Sequence, residues 1–174
     1  LEKLIANLRK PTIRNLMVRV HRTPFGTNLA GWIVGAAIPM SSDPPSVQKQ
    51  TSPDRRGSTW NVSINEQLSE TEQFVTLLHE LGNLFCGHLG PFSDNNKDMD
   101  EFGWPDRRYL PHAAREIEAE LVAWWLADRE GLTTGSPIYL RPYMEQAGEA
   151  VSMVDVDRVT RAVARVRGYL GDRA

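Results

Sequence analysis

One cysteine, Cys86, stands among 174 residues, so no disulfide can close within the chain and the fold must hold by packing. Such sparing cysteine use suits a reducing compartment. No apolar run reaches about 18 residues, which leaves no candidate for a membrane-spanning helix. A charge excess is lacking as well: 20 Lys and Arg against 22 Asp and Glu give a formal net charge of −2. That balance excludes a generic electrostatic binder of nucleic acid or anionic lipid and leaves only local patches. The first ten residues alternate charged and apolar side chains and carry no secretory core. The chain begins at Leu1 rather than Met, which leaves an upstream segment open. Internal repeats and domain-sized breaks are absent.

What is present describes an ordinary globular chain. Hydrophobic residues make up 41% and charged residues 24%, and the length predicts one domain spanning 1–174. A chain of this size buries about 70% of the surface its unfolded form exposes, enough for a core without a metal staple. Leu1, Leu4, Ile5 and Leu8 have helical spacing that Pro11 ends. Strands are predicted at Leu16–His21, within Leu29–Met40, and at Trp60–Asn65, where Trp60, Val62 and Ile64 share one face. Ser41–Ser58 and Pro91–Pro111 read as long loops. Ser69 and Glu72 form a capping-box signature ahead of a helix through Phe85, with Gly87 as its stop. Further helices are predicted from about His112 to Glu130, stopped by Gly131, and from Val154 to Leu170. The last has Val156, Val159, Val163, Val166 and Leu170 on its apolar face. The stretch between these two helices reads as a Pro- and Gly-containing link.

The chemistry concentrates at His79-Glu80-Leu81-Gly82-Asn83, one residue away from the zinc-binding HExxH pattern. Residues four apart on a helix lie one turn apart on the same face and both reach one ion. The glutamate beside the first histidine is placed to take a proton from metal-bound water. At the second ligand position stands Asn83, whose amide oxygen is a neutral and weaker zinc ligand than imidazole.

A second cluster, Glu116, Glu118 and Glu120, alternates on an otherwise apolar helix. Glu116 and Glu120 share a face, while Glu118 falls on the face of Val122 and Trp125. A carboxylate on the apolar side needs a partner or a metal, which singles out Glu118 as a third ligand. The alternative is that all three glutamates are solvated or paired with Arg115 and Arg129.

These stretches, Leu77–Gly90 and Glu116–Ala123, resemble the ImmA/IrrE group of zinc metallopeptidases, and the likeness extends over about Trp60–Leu170, with 1–57 matched loosely. The resemblance implies an α+β fold: a small twisted sheet packed on a zincin-like pair of active-site helices, with N- and C-terminal helices around them. It implies a Zn2+ cofactor and a cytoplasmic, regulatory metallopeptidase acting on a partner protein, such as a repressor-type DNA-binding protein. No membrane and no direct nucleic-acid partner are expected. Carried over position by position, His79 matches the first zinc ligand, Glu80 the general base, and Glu118 the third ligand. The family's second histidine falls on Asn83. Three readings of that departure stand side by side. Asn83 ligates in a weakened site; the domain is a pseudo-peptidase kept as a binding or sensing module; or Asn83 replaces a parental histidine.

Other residues complete the candidate set. His112 and Tyr109 are candidates to donate a hydrogen bond to the oxyanion of a tetrahedral intermediate; His112 also precedes Glu116 by four, so that pair can share a metal. His88 lies nine residues after His79, about 180° around an α-helix, and reaches the site only if the chain turns back at Gly87. Cys86, Trp124 and Trp125 read as core, and His21 as structural. Asp94, Asn96, Asp98 and Asp100 mimic a calcium loop but lack its glycine and its final glutamate, so they read as a solvated acidic loop. Arg158, Arg161, Arg165 and Arg167 read as the wet face of the last helix. An extended substrate is expected along the sheet edge, with Trp60–Asn65 beside the cleft.

Overall fold

A computed structural model describes residues 1–10, 17–26, 29–35, 59–90, 106–146 and 148–171. The expected loop at 41–58 and the acidic stretch at 94–100 lie outside these residues. The architecture is α+β, as expected. A three-stranded sheet is formed by β1 (Met17–Thr23), β2 (Gly31–Gly35) and β3 (Thr59–Asn65), in the order β1-β3-β2. β3 pairs parallel with β1, Val20 opposite Val62, and antiparallel with β2, Ile33 also opposite Val62. The strand expected beside the cleft is thus the central one, hydrogen-bonded on both sides. Its alternation explains why: Trp60, Val62 and Ile64 are all buried, and so are Ser63 and Asn65 on the other face. Among the described residues, β2 is the outer strand on the side of the site.

The helices are α1 (Glu2–Leu8), α2 (Glu70–Phe85), α3 (His112–Arg129), α4 (Ser136–Gln146) and α5 (Val156–Leu170), with a 3-10 turn at Gly148–Met153. α2 starts at the capping box: the Ser69 hydroxyl accepts from the Glu72 N–H, and the Glu72 carboxylate accepts from the Ser69 N–H at 2.8 Å. α2 ends in a Schellman turn. Gly87 takes φ +86°, the Gly87 N–H donates to Leu84 O, and the His88 N–H reaches back to Asn83 O at 3.1 Å. The main core joins Leu77, Leu78, Leu81 and Leu84 of α2 to Val122 and Leu126 of α3, Val159, Val163 and Val166 of α5, and the apolar face of the sheet.

Three further expectations change. Ser136–Gln146 is a helix, not a link: Pro137 sits in its first turn, where no donor is needed, and only Pro142 interrupts its hydrogen bonding. Trp124 and Trp125 are each 44% exposed, because α3 turns Val122, Ala123, Leu126 and Ala127 inward and leaves the indoles at its edges. Val156 is exposed too, since α5 begins there, one residue after its Asp155 cap.

The closest helix contact positions the site. A methyl group added to Gly82 of α2 would lie 2.8 Å from Ala119 O and 2.9 Å from Ala119 Cα of α3. The two backbones touch there, one turn from His79 on α2 and one residue from Glu120 on α3. Gly82→Ala is therefore expected to force the helices apart and destabilise the protein by about 1–3 kcal/mol, despite alanine's better helix propensity. Urea unfolding measures this, and an unchanged midpoint would show that the contact has slack.

Candidate metal centre

The α2–α3 contact brings His79 between two carboxylates of α3. His79 Nδ1 lies 2.9 Å from Glu120 Oε2, and Nε2 lies 3.6 Å from Glu116 Oε2. Glu116 and Glu120 face the same way because four residues span about one helical turn. The side chains of His79 and Glu116 are only 15% and 13% exposed. Burial works against the His79 imidazolium, but the Glu120 hydrogen bond and the charges of Glu80, Glu116 and Glu120 outweigh it and raise the pKa. Burial also opposes ionisation of Glu120, yet its bonds to His79 and Ser136 hold its pKa below the ordinary value.

Glu80 is buried beside this pair. Its Oε1 lies 3.8 Å from where a methyl group on Gly31 would sit, so the start of β2 flanks the carboxyl group. Burial, joined by the nearby Glu116 charge, pushes Glu80 up to about 7, against the pull of His79 and a hydrogen bond from Asn83. This is the range in which a carboxylate accepts and returns a proton near neutral pH.

Asn83 connects this group to a second network. Its Oδ1 lies 2.9 Å from His88 Nδ1, and His88 Nε2 lies 2.8 Å from Glu118 Oε2. The turn at Gly87 thus brings His88 back against α2, the arrangement that helical spacing alone would have excluded. Glu118 is fully buried, and both its oxygens are taken. The Arg107 guanidinium donates to Oε2 at 2.5 Å and to Oε1 at 2.7 Å, and the Asp155 N–H donates to Oε1 at 2.8 Å. Burial works to raise the Glu118 pKa, but its bonds to His88, Arg107 and the Asp155 N–H outweigh that and leave it below the ordinary value. Glu118 therefore serves the joint between α2, α3 and the start of α5, while Glu116 and Glu120 are the carboxylates that meet His79. The demand that a carboxylate on the apolar face find a partner is met by Arg107, from a segment that read as loop.

At the outer rim, the Tyr139 hydroxyl of α4 donates to Glu116 Oε2 at 2.7 Å, and its ring meets the His79 ring edge-on at 6.0 Å. Tyr143 packs against Tyr139 and against His112, whose Nδ1 lies 3.6 Å from Glu116 Oε1. His112 is thus at the site, on its exposed side. Tyr109 is 72% exposed on the turn before α3, and Tyr139 is the tyrosine bonded to Glu116. Sequence reasoning missed Tyr139 because α4 read as a link. The available signal for Glu116 and Glu120 was their shared face.

Two donor sets can be weighed as metal centres. Around His79 the Nδ1 is anchored by Glu120, which turns Nε2 toward Glu116, the second-sphere arrangement typical of zinc-bound histidine. Two atoms on a tetrahedral zinc ion with bonds of about 2.0–2.1 Å sit roughly 3.4 Å apart, close to the observed His79–Glu116 spacing. Three carboxyl groups around one imidazole also attract a cation. Cys86, His88 and Glu118 form the other set, with ligand atoms within 4.8 Å of one another. There, however, the Arg107 guanidinium already occupies the carboxylate, and burial holds the Cys86 thiol protonated. The residues around His79 fit a divalent ion better.

A family model described as the IrrE N-terminal-like domain, peptidase M78, matches residues 40–126, half of the chain. The match includes β3, α2 and the first part of α3, and so every residue named around His79 except those of β2 and α4. No curated protein and no solved structure gave a match.

Two predictions come from these charges. Glu118→Ala should cost about 3–5 kcal/mol in urea unfolding, because it leaves the Arg107 guanidinium buried without its partner; a loss under 1 kcal/mol would mean that Arg107 escapes to solvent. Glu80 binds its proton more tightly folded than unfolded. Its contribution to stability is therefore complete below about pH 4.5 and disappears as pH rises through about 7. In metal-free protein, Glu80→Gln should remove that decline, raising stability at pH 8 relative to the parent by up to about 3 kcal/mol. A parallel pH profile for the two proteins would contradict the burial argument.

Proposed function

Because the chain belongs to the IrrE N-terminal-like family of M78 peptidases, we propose that it is a metal-dependent peptidase domain whose centre is built on His79 and Glu116, with position 83 as the weak third ligand. The observation that carries this reading is the His79 Nε2–Glu116 Oε2 spacing of 3.6 Å with Glu120 behind the imidazole. Glu116 takes the ligand role that the family resemblance had assigned to Glu118, since Glu118 is committed to Arg107 and His88. A bound zinc ion supplies Lewis acidity toward a peptide carbonyl and acidifies water. Glu80 is the group that holds the transferred proton, and its raised pKa suits both taking and returning it. Tyr139 and His112 stand as hydrogen-bond donors on the open side. The outer edge of β2, beside Glu80, offers backbone groups to an extended peptide. The substrate class is a partner protein, with a cytoplasmic repressor-type DNA-binding protein as the family resemblance implies. Among the described residues no helix is long and apolar enough to cross a membrane.

A second reading, the pseudo-peptidase, draws support from Asn83 itself. Its Oδ1 is engaged by His88 and its N–H side by Glu80, so the amide serves as a bridge between networks. On that reading the cleft binds a partner segment and leaves it uncut.

Metal content of the parent and of Asn83→His, measured side by side by mass spectrometry, tests the proposal. The Asn83→His protein is expected to hold about one zinc per chain and to bind it tighter by more than the roughly 10–100-fold that outer-sphere partners control. In whichever protein cleaves peptide, Glu80→Gln should lower turnover by about 10²–10⁴-fold while the fold persists. Failure of both proteins to bind metal would remove the peptidase reading.

A further inference from the structure

The Glu116 oxygen that faces His79 is also the oxygen that holds α4. Tyr139 OH donates to Glu116 Oε2 at 2.7 Å, and the same Oε2 stands 3.6 Å from His79 Nε2. Hydrogen bonds to a carboxylate are strong because the charge resides on the acceptor oxygen. A divalent ion shared by His79 and Glu116 draws on that same charge. The Tyr139 ring also stands edge-on to the His79 ring, with centroids 6.0 Å apart.

α4 has little else to hold it over the site. Ser136 is its buried residue, and Leu140 and Tyr143 are half-buried against the small cluster of Leu110, Ala114, Ile117 and Ala150. Ile138 and Met144 point outward, and Pro142 removes one backbone hydrogen bond from the middle of the helix. Besides the local bonds of Ser136 to Thr134, two polar attachments of α4 among the described residues end on the carboxylates that flank His79: Ser136 on Glu120, and Tyr139 on Glu116. A thinly packed helix whose anchors are the site's own ligands is the kind of element that opens at low cost.

We propose that Tyr139 is a latch: its hydroxyl holds α4 onto Glu116 in the metal-free protein, and metal binding at His79 and Glu116 releases it, freeing α4 and opening the site to substrate. This rests on the reading of His79 and Glu116 as metal ligands and adds to it a residue that opposes loading. Ser136, bonded to Glu120 behind the imidazole, stays in place as the hinge end.

The test uses zinc alone as the probe, with the full chain, by calorimetric titration and by hydrogen exchange of the 134–146 amides with and without zinc. Tyr139→Phe removes the hydroxyl and keeps the ring. It is expected to tighten zinc binding by about tenfold, the worth of one hydrogen bond to a charged group. In the parent, zinc should speed amide exchange in α4; in Tyr139→Phe, exchange should already be fast without zinc. Unchanged or weaker zinc binding by Tyr139→Phe, or slower exchange of α4 in the zinc-bound parent, would overturn the latch and make Tyr139 a plain outer-sphere support. Glu116→Gln separates this from failure of the underlying reading. If it leaves zinc binding intact, or if no zinc binds to any of these proteins, Glu116 is not a ligand and the latch falls with it.

Discussion

The contact between Gly82 and Ala119 sets the distance at which α2 and α3 meet, and every interaction of the site is measured from it. Any side chain at position 82 larger than hydrogen would collide with backbone, not with a flexible tip. At that separation a histidine on one helix reaches carboxylates on the other at hydrogen-bonding and metal-ligating distances. Separating the helices by one methyl radius would leave the same residues present and the geometry lost. Glycine here serves close approach rather than a turn, and costs helix propensity in exchange.

Around that contact the protein divides its acids into two populations. Glu118 is wholly buried and neutralised by Arg107, with His88 and a backbone N–H saturating its oxygens. Such a group ties α2, α3 and the start of α5 together through a buried ion pair. Glu80, Glu116 and Glu120 are half to fully buried around a single imidazole, without an arginine among their described bonds. Burial, joined by the nearby Glu116 charge, raises the Glu80 pKa, while the Glu120 hydrogen bond and the attraction of the three carboxyl groups outweigh burial and raise that of His79. The two groups of carboxylates thus differ in counter-charge: Glu118 meets a guanidinium, and the three around His79 share one imidazole.

Much of this was legible in the sequence. Capping chemistry at Ser69 and Glu72, the glycine stop at 87 and the alternation of Trp60, Val62 and Ile64 predict elements that the structure contains, because each depends on neighbours within a few residues. His79, Glu80 and the shared face of Glu116 and Glu120 were readable for the same reason. The pairing of Glu118 with Arg107 was not, because Arg107 comes from a segment with no periodicity. Tyr139 was hidden by Pro137 and Pro142, which make a real helix look like a link. His88 hinged on whether the chain turns back at Gly87, which helical angles do not decide and the turn there does.

Asn83 lies where the two populations of acids meet, and its chemistry suits that place. Toward Glu80 it donates, favouring the ionised carboxylate that burial disfavours; toward His88 it presents Oδ1, extending the Glu118–Arg107 network. A histidine at this position has one donor and one acceptor in its neutral form and cannot donate to Glu80 while also presenting a lone pair to both His88 and an ion. Asn83 therefore joins the buried Glu80 to the Glu118–Arg107 ion pair through one amide, with its N–H side on Glu80 and its oxygen on His88.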